Sequence, residues 1–497
     1  MRQTLQQRKG EVHFRSFHGQ FVERYTDLFR SLITMRFGTL DRLVFDGELR
    51  SPYLEIGAEL GLNGSVLASR HGLSGVCMDI SPDALQTGRS YGERFGLKSQ
   101  AALVCADAHN LPFRNDSFAG VLAWGTLHHF PDPTPVLREA RRVLHPTGKF
   151  IFEEEPIRRR LSLNLYNTGT PPDDLRWYER LLMRLGLLPF IAIPGGKMEV
   201  EQGIHEGTFR ISELNRLLSV FDESEVRYVP QLTGGIPAEG KLLRRLLPKF
   251  LGLGRAFAWA TRWFGGASGG RAVKHTTGCR LLPGDPHTVM VKRREPFDLI
   301  TLVTNGAAEV GLSGADTAAD SNESGNGIFT HRVRLPDNLR SNEIVVFNMA
   351  GDGELLRVEL ESSGDAKPFY SWRPYKESTA EVSTWDLLGC PSCIEVTDRC
   401  LAPRCGWPCI EACPRGALRP GKDRPEYDKS KCDLCMQCLH ACPFGALDRS
   451  PLDMQGENAT GDGILTCRYC GESFIIRDGI VVLLAAGERE LLSRSWE

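Results

Sequence analysis

The sequence predicts an α/β fold: a mostly parallel sheet in the first third, then a small β-rich region and a cysteine-rich α+β module. Three observations lead there. Short apolar strands alternate with helical stretches from about residue 53 to 153, the pattern of crossover units in a parallel sheet. From about 294 to 376 the pattern becomes β-like alternation between polar turns, as in Ile344–Asn348 and Leu356–Leu360. Twelve of the 15 cysteines lie between Cys390 and Cys470.

Composition bounds the rest. A chain of 497 residues is too long for a single hydrophobic core, so about two to four domains are expected. Lys+Arg 60 against Asp+Glu 62 leaves a net charge of −2, so no global basic field points to nucleic acid as a partner. The opening MRQTLQQRKGEVHF lacks the apolar stretch of a secretory signal, and no apolar run reaches the roughly 18 residues of a membrane span. A cytoplasmic location is the expectation. There thiols stay reduced, and clustered cysteines mean metal rather than disulfides.

Taken in order, residues 14–47 read as helical, with Phe21, Tyr25, Phe29 and Leu32 at helical spacing. Strands follow at Tyr53–Ile56, Gly75–Met78, Leu103–Ala106, Gly120–Trp124 and Lys149–Glu153. Glu225–Val229 and His287–Lys292 are candidates to complete the sheet. Residues 157–222, with Arg158, Arg159, Arg160 and an apolar helix near Trp177–Leu188, would lid the pocket. Ser313–Asn326 reads as a flexible loop. The expected domains are 1–293, 294–383 and 384–485, the last with an insertion at 398–450.

The first strand runs into Glu55-Ile-Gly57-Ala-Glu59-Leu-Gly61. Gly57 has no Cβ, so backbone can approach a ligand closely there. The second strand ends at Asp79, followed by Ile80, at the spacing where an acid meets a ribose diol in nucleotide-binding α/β folds. The third ends in Cys105-Ala-Asp107-Ala108, and the fourth in Trp124-Gly-Thr-Leu-His128-His129. Ligands of open parallel sheets bind outside these carboxyl ends.

These residues resemble the class I S-adenosylmethionine-dependent methyltransferases, especially the group that includes ubiquinone and menaquinone methylases. The resemblance implies a Rossmann-like domain with S-adenosylmethionine as cofactor. Gly57 and Gly61 would line the methionine moiety, Asp79 would accept from the ribose hydroxyls, Asp107 would contact the adenine amino group, and Trp124 would flank the methionine end. Glu55, Ile80 and Ala108 complete the implied cofactor-binding set. The chain departs from the family at Glu59, where a further glycine is usual, which leaves a non-catalytic, electron-transfer or scaffold role as the alternative to a methyltransferase.

Methyl transfer needs an in-line nucleophile close to the sulfonium carbon, and proximity supplies much of the acceleration. His128 and His129 are the candidate general bases, against a reading in which one packs beside the loop and the other faces solvent. Glu153, Glu154 and Glu155 either touch substrate or form a solvated edge. Leu242–Phe264, with Arg255, Trp259, Arg262 and Trp263, is basic and amphipathic. Such a helix receives a lipid-like substrate, makes peripheral membrane contact or covers the protein's own core. The expected acceptor is a small or lipid-like molecule.

Cys432-x2-Cys435-x2-Cys438-x3-Cys442-Pro443 reproduces the bacterial ferredoxin run that holds 4Fe-4S clusters. Upstream, Cys400-x4-Cys405-x3-Cys409-x3-Cys413-Pro414 supplies a matching group, and both end in Cys-Pro-x-Gly-Ala-Leu. Two clusters follow, one on Cys400, Cys405, Cys409 and Cys442, the other on Cys432, Cys435, Cys438 and Cys413. A redox partner protein is a natural companion. The remaining Cys390, Cys393, Cys467 and Cys470 form two CxxC pairs, the donor set of a four-thiolate zinc site. Their flanking sequences are similar to the zinc-ribbon activator subunit of tRNA and protein methyltransferases, with the ferredoxin-like piece inserted between the two halves.

Overall fold

The structure is a computed structural model. It describes residues 8–10, 12, 36–94, 101–158, 166–167, 177–178, 192–193, 205, 207–229, 266–274, 279–282, 285–292, 299–312, 319–323, 327–336, 344–351, 354–361, 368–372, 384–403, 405–455, 462–492 and 496. Helix is seen at 36–45 and 177–178; the rest of the helices expected over 14–47 and Trp177–Leu188, and all of Leu242–Phe264, lie outside the described residues.

The first domain is built on β1 (Tyr53–Ile56), β2 (Gly75–Asp79), β3 (Ala102–Cys105), β4 (Phe118–Trp124) and β5 (Leu144–Ile157), with α1 (Leu62–His71), α2 (Pro82–Arg94) and α3 (Thr134–Val143) as crossovers. Two later strands, β6 (Glu223–Val229) and β7 (Gly266–Val273), complete the order β3-β2-β1-β4-β5-β7-β6. The first five strands pair in parallel, and β7 runs antiparallel to both neighbours.

Both faces of this sheet are covered, which is why its strands read as nearly continuous apolar runs. Leu54, Ile56, Val76, Met78 and Val104 pack on one side. Tyr53, Cys77, Leu103 and Cys105 pack on the other. Helix α3 buries Val136, Leu137, Ala140 and Val143, a stripe at helical spacing.

The strand expected at His287–Lys292 does not enter this sheet. The place beside β5 belongs to Gly266–Val273, whose sequence GASGGRAV reads as a turn. Its glycines answer a packing demand: a Cβ on Gly269 would collide with Glu153, and one on Gly270 with the Glu225 carbonyl and Phe152. Pattern reading looks for β-branched residues and passes over such a strand.

The β-rich region therefore begins no later than β8 (Cys279–Leu282) and β9 (Asp285–Lys292). It continues through β10 (Leu299–Asn305), β11 (Glu309–Leu312), β12 (Asp320–Glu323), β13 (Ile328–Arg334), β14 (Ile344–Ala350), β15 (Glu354–Glu361) and β16 (Pro368–Trp372). Two antiparallel sheets, ordered β8-β9-β14-β11 and β12-β13-β10-β15-β16, share a core of Ile300, Leu302, Leu312, Phe347 and Val358, a sandwich. Strand β12 falls within the expected loop Ser313–Asn326, and all four of its residues are exposed.

The cysteine-rich module contributes β17 (Gly389–Val396), β18 (Leu447–Gln455), β19 (Gly463–Cys467), β20 (Ser473–Arg477) and β21 (Ile480–Val482), joined as antiparallel neighbours. The last strand then pairs in parallel with β3, placing Ile480 opposite Leu103, Val481 opposite Val104 and Val482 opposite Cys105. One sheet of twelve strands results. Cys390, Cys393, Leu465, Phe474 and Val481 share a core with Leu54, Phe113 and Phe118.

Candidate cofactor cleft and cysteine centres

A cleft opens at the carboxyl ends of β1 to β4, where ligands of open parallel sheets bind. Of the residues named from sequence, Gly57, Asp79, Ile80, Asp107, Ala108 and His129 line it. Met78, Ala106, Thr126 and Phe130 line it too and were missed. They carry no chemistry of their own, so only their place beside motif residues could have flagged them.

Asp79, at the end of β2, is buried, and its carboxylate holds the glycine turn: Oδ2 accepts from the Glu59 amide at 2.8 Å and Oδ1 from the Ser81 amide at 3.0 Å. Gly57 has φ 67, and a Cβ there would fall inside the Thr126 side chain, so the turn tolerates nothing larger. Glu59 also sits left-handed, at φ 51. The backbone here has the shape a glycine would supply, and Glu59 adopts it at a cost of roughly 1–2 kcal/mol.

Asp107 is buried and lines the cleft. Its Oδ1 meets the His109 amide at 3.0 Å and His109 Nδ1 at 2.9 Å, and its Oδ2 meets Arg8 at 2.8 Å. Burial opposes ionisation, but the His109 bond and the charges of His109 and Arg8 outweigh it and hold Asp107 well below the usual carboxylate range. Arg8 also reaches Glu488 at 3.1 Å, so this end of the cleft joins residues from far ends of the sequence. Buried His109 Nε2 finds no hydrogen-bond partner among the described residues, and its ring meets that of Phe130 edge-on at 5.1 Å.

The three glutamates ending β5 diverge. Glu155 is fully buried, so it is neither a solvated edge nor in the cleft. Its Oε1 accepts from the Thr126 and Leu127 amides at 2.8 Å each, and its Oε2 from the His128 amide at 3.1 Å and His128 Nδ1 at 3.0 Å. It fixes the loop after β4. Glu153 is buried against Arg227, while Glu154 is exposed near Arg36. The His128 and His129 rings lie 4.2 Å apart.

Glu55, Gly61, Trp124 and His128 lie outside the cleft lining. Glu55 is buried, bonded to Asn63 at 2.6 Å, and burial raises its carboxyl above the ordinary value. Gly61 caps α1 and packs toward Leu103 and Cys77. Trp124 is covered by the Arg36 guanidinium at 4.9 Å, and neither its indole nitrogen nor Arg36 Nε has a hydrogen-bond partner among the described residues.

Four of the cysteines gather closely. Cys390, Cys393, Cys467 and Cys470 place their sulfurs within 4.8 Å of one another, with Cys390–Cys470 at 3.8 Å and Cys393–Cys467 at 3.4 Å. A tetrahedral site with zinc–sulfur bonds of about 2.3 Å puts sulfurs ~3.8 Å apart, so this donor set fits a zinc ion. Burial, then neighbouring Cys442, Cys405 and Cys400, push Cys409 up to about 12. Burial, then Cys432, Cys413 and Cys435, do the same to Cys438, also to about 12.

Short helices α4 (Pro408–Glu411) and α5 (Gln437–Ala441) repeat the same construction, each opened by a left-handed residue, Trp407 and Met436. The Ala417 amide donates to Cys413 Sγ at 3.2 Å and the Ala446 amide to Cys442 Sγ at 3.4 Å.

A doubly covered parallel sheet with acids at two successive strand ends defines a nucleoside-binding α/β domain beside a thiolate-rich metal module. Residues 54–152 match the family described as "Methyltransferase domain", and residues 424–447 match "4Fe-4S binding domain". The chain is 31% identical over 105 residues to methyltransferase GfsG of Streptomyces halstedii, covering 21% of this chain and 38% of that protein. It is 38% identical over 88 residues to the ubiquinone/menaquinone biosynthesis C-methyltransferase UbiE of Bartonella henselae, covering 18% and 34%. Phosphoethanolamine N-methyltransferase 2 of Haemonchus contortus, solved with S-adenosyl-L-methionine, aligns at 18% identity and a TM-score of 0.29 over 46% of this chain and 49% of that one. The matched stretches span well under half of these curated relatives. The chain carries a class I S-adenosylmethionine-dependent methyltransferase domain and a 4Fe-4S binding domain.

Proposed function

We propose that the protein transfers a methyl group from S-adenosylmethionine to a small or lipid-like acceptor. The observation that carries this is the pair Asp79 and Asp107, presented to one cleft beside the Gly57 turn. S-adenosylmethionine supplies the methyl group on its sulfonium. Asp79 accepts from the ribose hydroxyls, and Asp107 with His109 meets the adenine edge. His129, which lines the cleft, and His128, held by Glu155 with its ring 4.2 Å from that of His129, are the candidates to take the acceptor's proton as the nucleophile attacks. The names of UbiE and of the sarcosine/dimethylglycine N-methyltransferase of Halorhodospira halochloris (28% identical over 145 residues) support a small-molecule acceptor.

The eight cysteines from Cys400 to Cys442 would hold two 4Fe-4S clusters, and the remaining four a zinc ion in a ribbon like that of methyltransferase activators. Reduced thiols in such number fit a cytoplasmic protein with a redox partner. Among the described residues no helix is long and apolar enough to cross a membrane. Peripheral contact through Leu242–Phe264 remains part of the proposal. Calorimetry with S-adenosylmethionine on the anaerobically purified protein tests the reading, followed by a methyl-transfer screen against metabolite extracts. No binding to the intact, iron-loaded chain would sink it.

A further inference from the structure

The segment 107–116, between β3 and β4, begins in the cleft wall at Asp107 and Ala108. Beyond the cleft it is gripped almost residue by residue by the cysteine module. Asn110 donates to the Pro391 carbonyl at 3.1 Å, between Cys390 and Cys393. The Gly389 amide donates to the Pro112 carbonyl at 2.9 Å, and the Arg114 amide to that of Leu387 at 3.0 Å. The Asn115 amide meets Asp448 at 2.8 Å, and Arg399 meets Asp116 at 2.9 Å.

Behind this segment lies a buried polar knot. Arg142 of α3 donates to the carbonyls of Leu111 at 3.0 Å and Phe113 at 2.8 Å, and to both oxygens of Glu139 at 2.8 Å. Glu139, fully buried, also accepts from His440 Nε2 at 2.9 Å. His440 lies on α5 between Cys438 and Cys442. Arg449, also fully buried, bonds Asn110 and comes within 3.7 Å of Glu139. A buried carboxylate is held only by its partners, so any shift of α5 is felt at Arg142 and the two carbonyls it fixes.

We propose that the Glu139–His440 contact makes the cofactor cleft responsive to the redox state of the cysteine module. The inference rests on the methyltransferase and iron–sulfur reading above. A cluster held by Cys438 would bear on α5, His440 transmits its position to Glu139, and Arg142 sets the wall that carries Asp107. Binding of the nucleoside and reduction of the module are then linked, and linkage is reciprocal.

The test uses anaerobically purified holoprotein with S-adenosylhomocysteine as the probe. Calorimetry on the oxidised and dithionite-reduced forms is expected to give affinities at least about threefold apart. Saturation with the probe should move a cluster midpoint potential by about 28 mV, threefold at ~59 mV per decade. Glu139→Gln and His440→Ala should erase both effects, with iron content checked in each. His440→Gln, whose side-chain amide can still donate to Glu139, should keep them; this comparison decides if Glu139→Gln fails to fold. Equal affinity in the two redox states of the native chain overturns the proposal, as does linkage that survives His440→Ala. Failure of the probe to bind in either state removes the methyltransferase reading itself, and this proposal with it.

Discussion

Glu155 Oε2 lies 3.0 Å from His128 Nδ1, and the same carboxylate collects the amides of Thr126, Leu127 and His128. A buried carboxylate on Nδ1 fixes the imidazole's orientation and tautomer and stabilises the imidazolium once a proton arrives. His128→Ala should keep S-adenosylmethionine affinity, since His128 does not line the cleft, while transfer drops about 10²–10⁴-fold. Glu155→Gln turns one of the two acceptor oxygens into a donor facing amide N–H groups, so the loop after β4 should lose its anchor and the melting temperature should fall.

Asp79 is expected to dominate cofactor binding. Asp79→Ala removes a charged acceptor worth about 1.5–3 kcal/mol and frees the Glu59 amide it holds. Calorimetry should show affinity weakened roughly ten- to hundredfold.

Glu59→Gly should raise the melting temperature without weakening binding. The left-handed φ of 51 costs any side chain, and glycine relieves about 1 kcal/mol of it. A sharp loss of S-adenosylhomocysteine affinity in this variant would give the Glu59 side chain a role in the site.

Metal content should separate the two kinds of thiol site. Cys467→Ser breaks the close four-sulfur set and should remove one zinc per chain while iron stays high. Cys438→Ser should lower iron and sulfide and leave zinc in place. Elemental analysis of anaerobic preparations reads both.

Stability should fall as pH rises through neutrality. Burial and the neighbouring Asp107 push Glu488 up to about 7, against the attraction of Arg8. An acid whose pKa is raised by folding favours the folded state while protonated. That advantage is complete below about 4.5 and is lost as pH climbs through about 7. Glu488→Gln should match the native chain's melting temperature in mild acid and exceed it near pH ~8.

Motif positions were the legible part. The strand ends carrying Gly57, Asp79 and Asp107 announce themselves because glycine and acid residues are rare inside strands, and they reach one cleft. The paired cysteines were legible for the same reason, since thiolate spacing is set by metal geometry. Gly266–Val273 was not, because its glycines answer contacts with Glu153 and Phe152 that no local pattern records. Nor was the role of Glu155, whose partners lie about a crossover unit earlier in the chain. The pairing of β21 with β3 was hidden most deeply: two ordinary apolar triplets give no sign that they are neighbours.

That pairing sets an order of assembly. Until Ile480–Val482 is synthesised, Ala102–Cys105 remains an apolar strand with an open edge, the kind of template that recruits strands from other chains. The nascent methyltransferase domain must wait through the sandwich and all twelve clustered cysteines before that edge is closed. Such distant contacts form slowly, and the waiting chain is exposed to aggregation. Truncation before Ile480 should therefore yield inclusion bodies rather than a soluble methyltransferase domain.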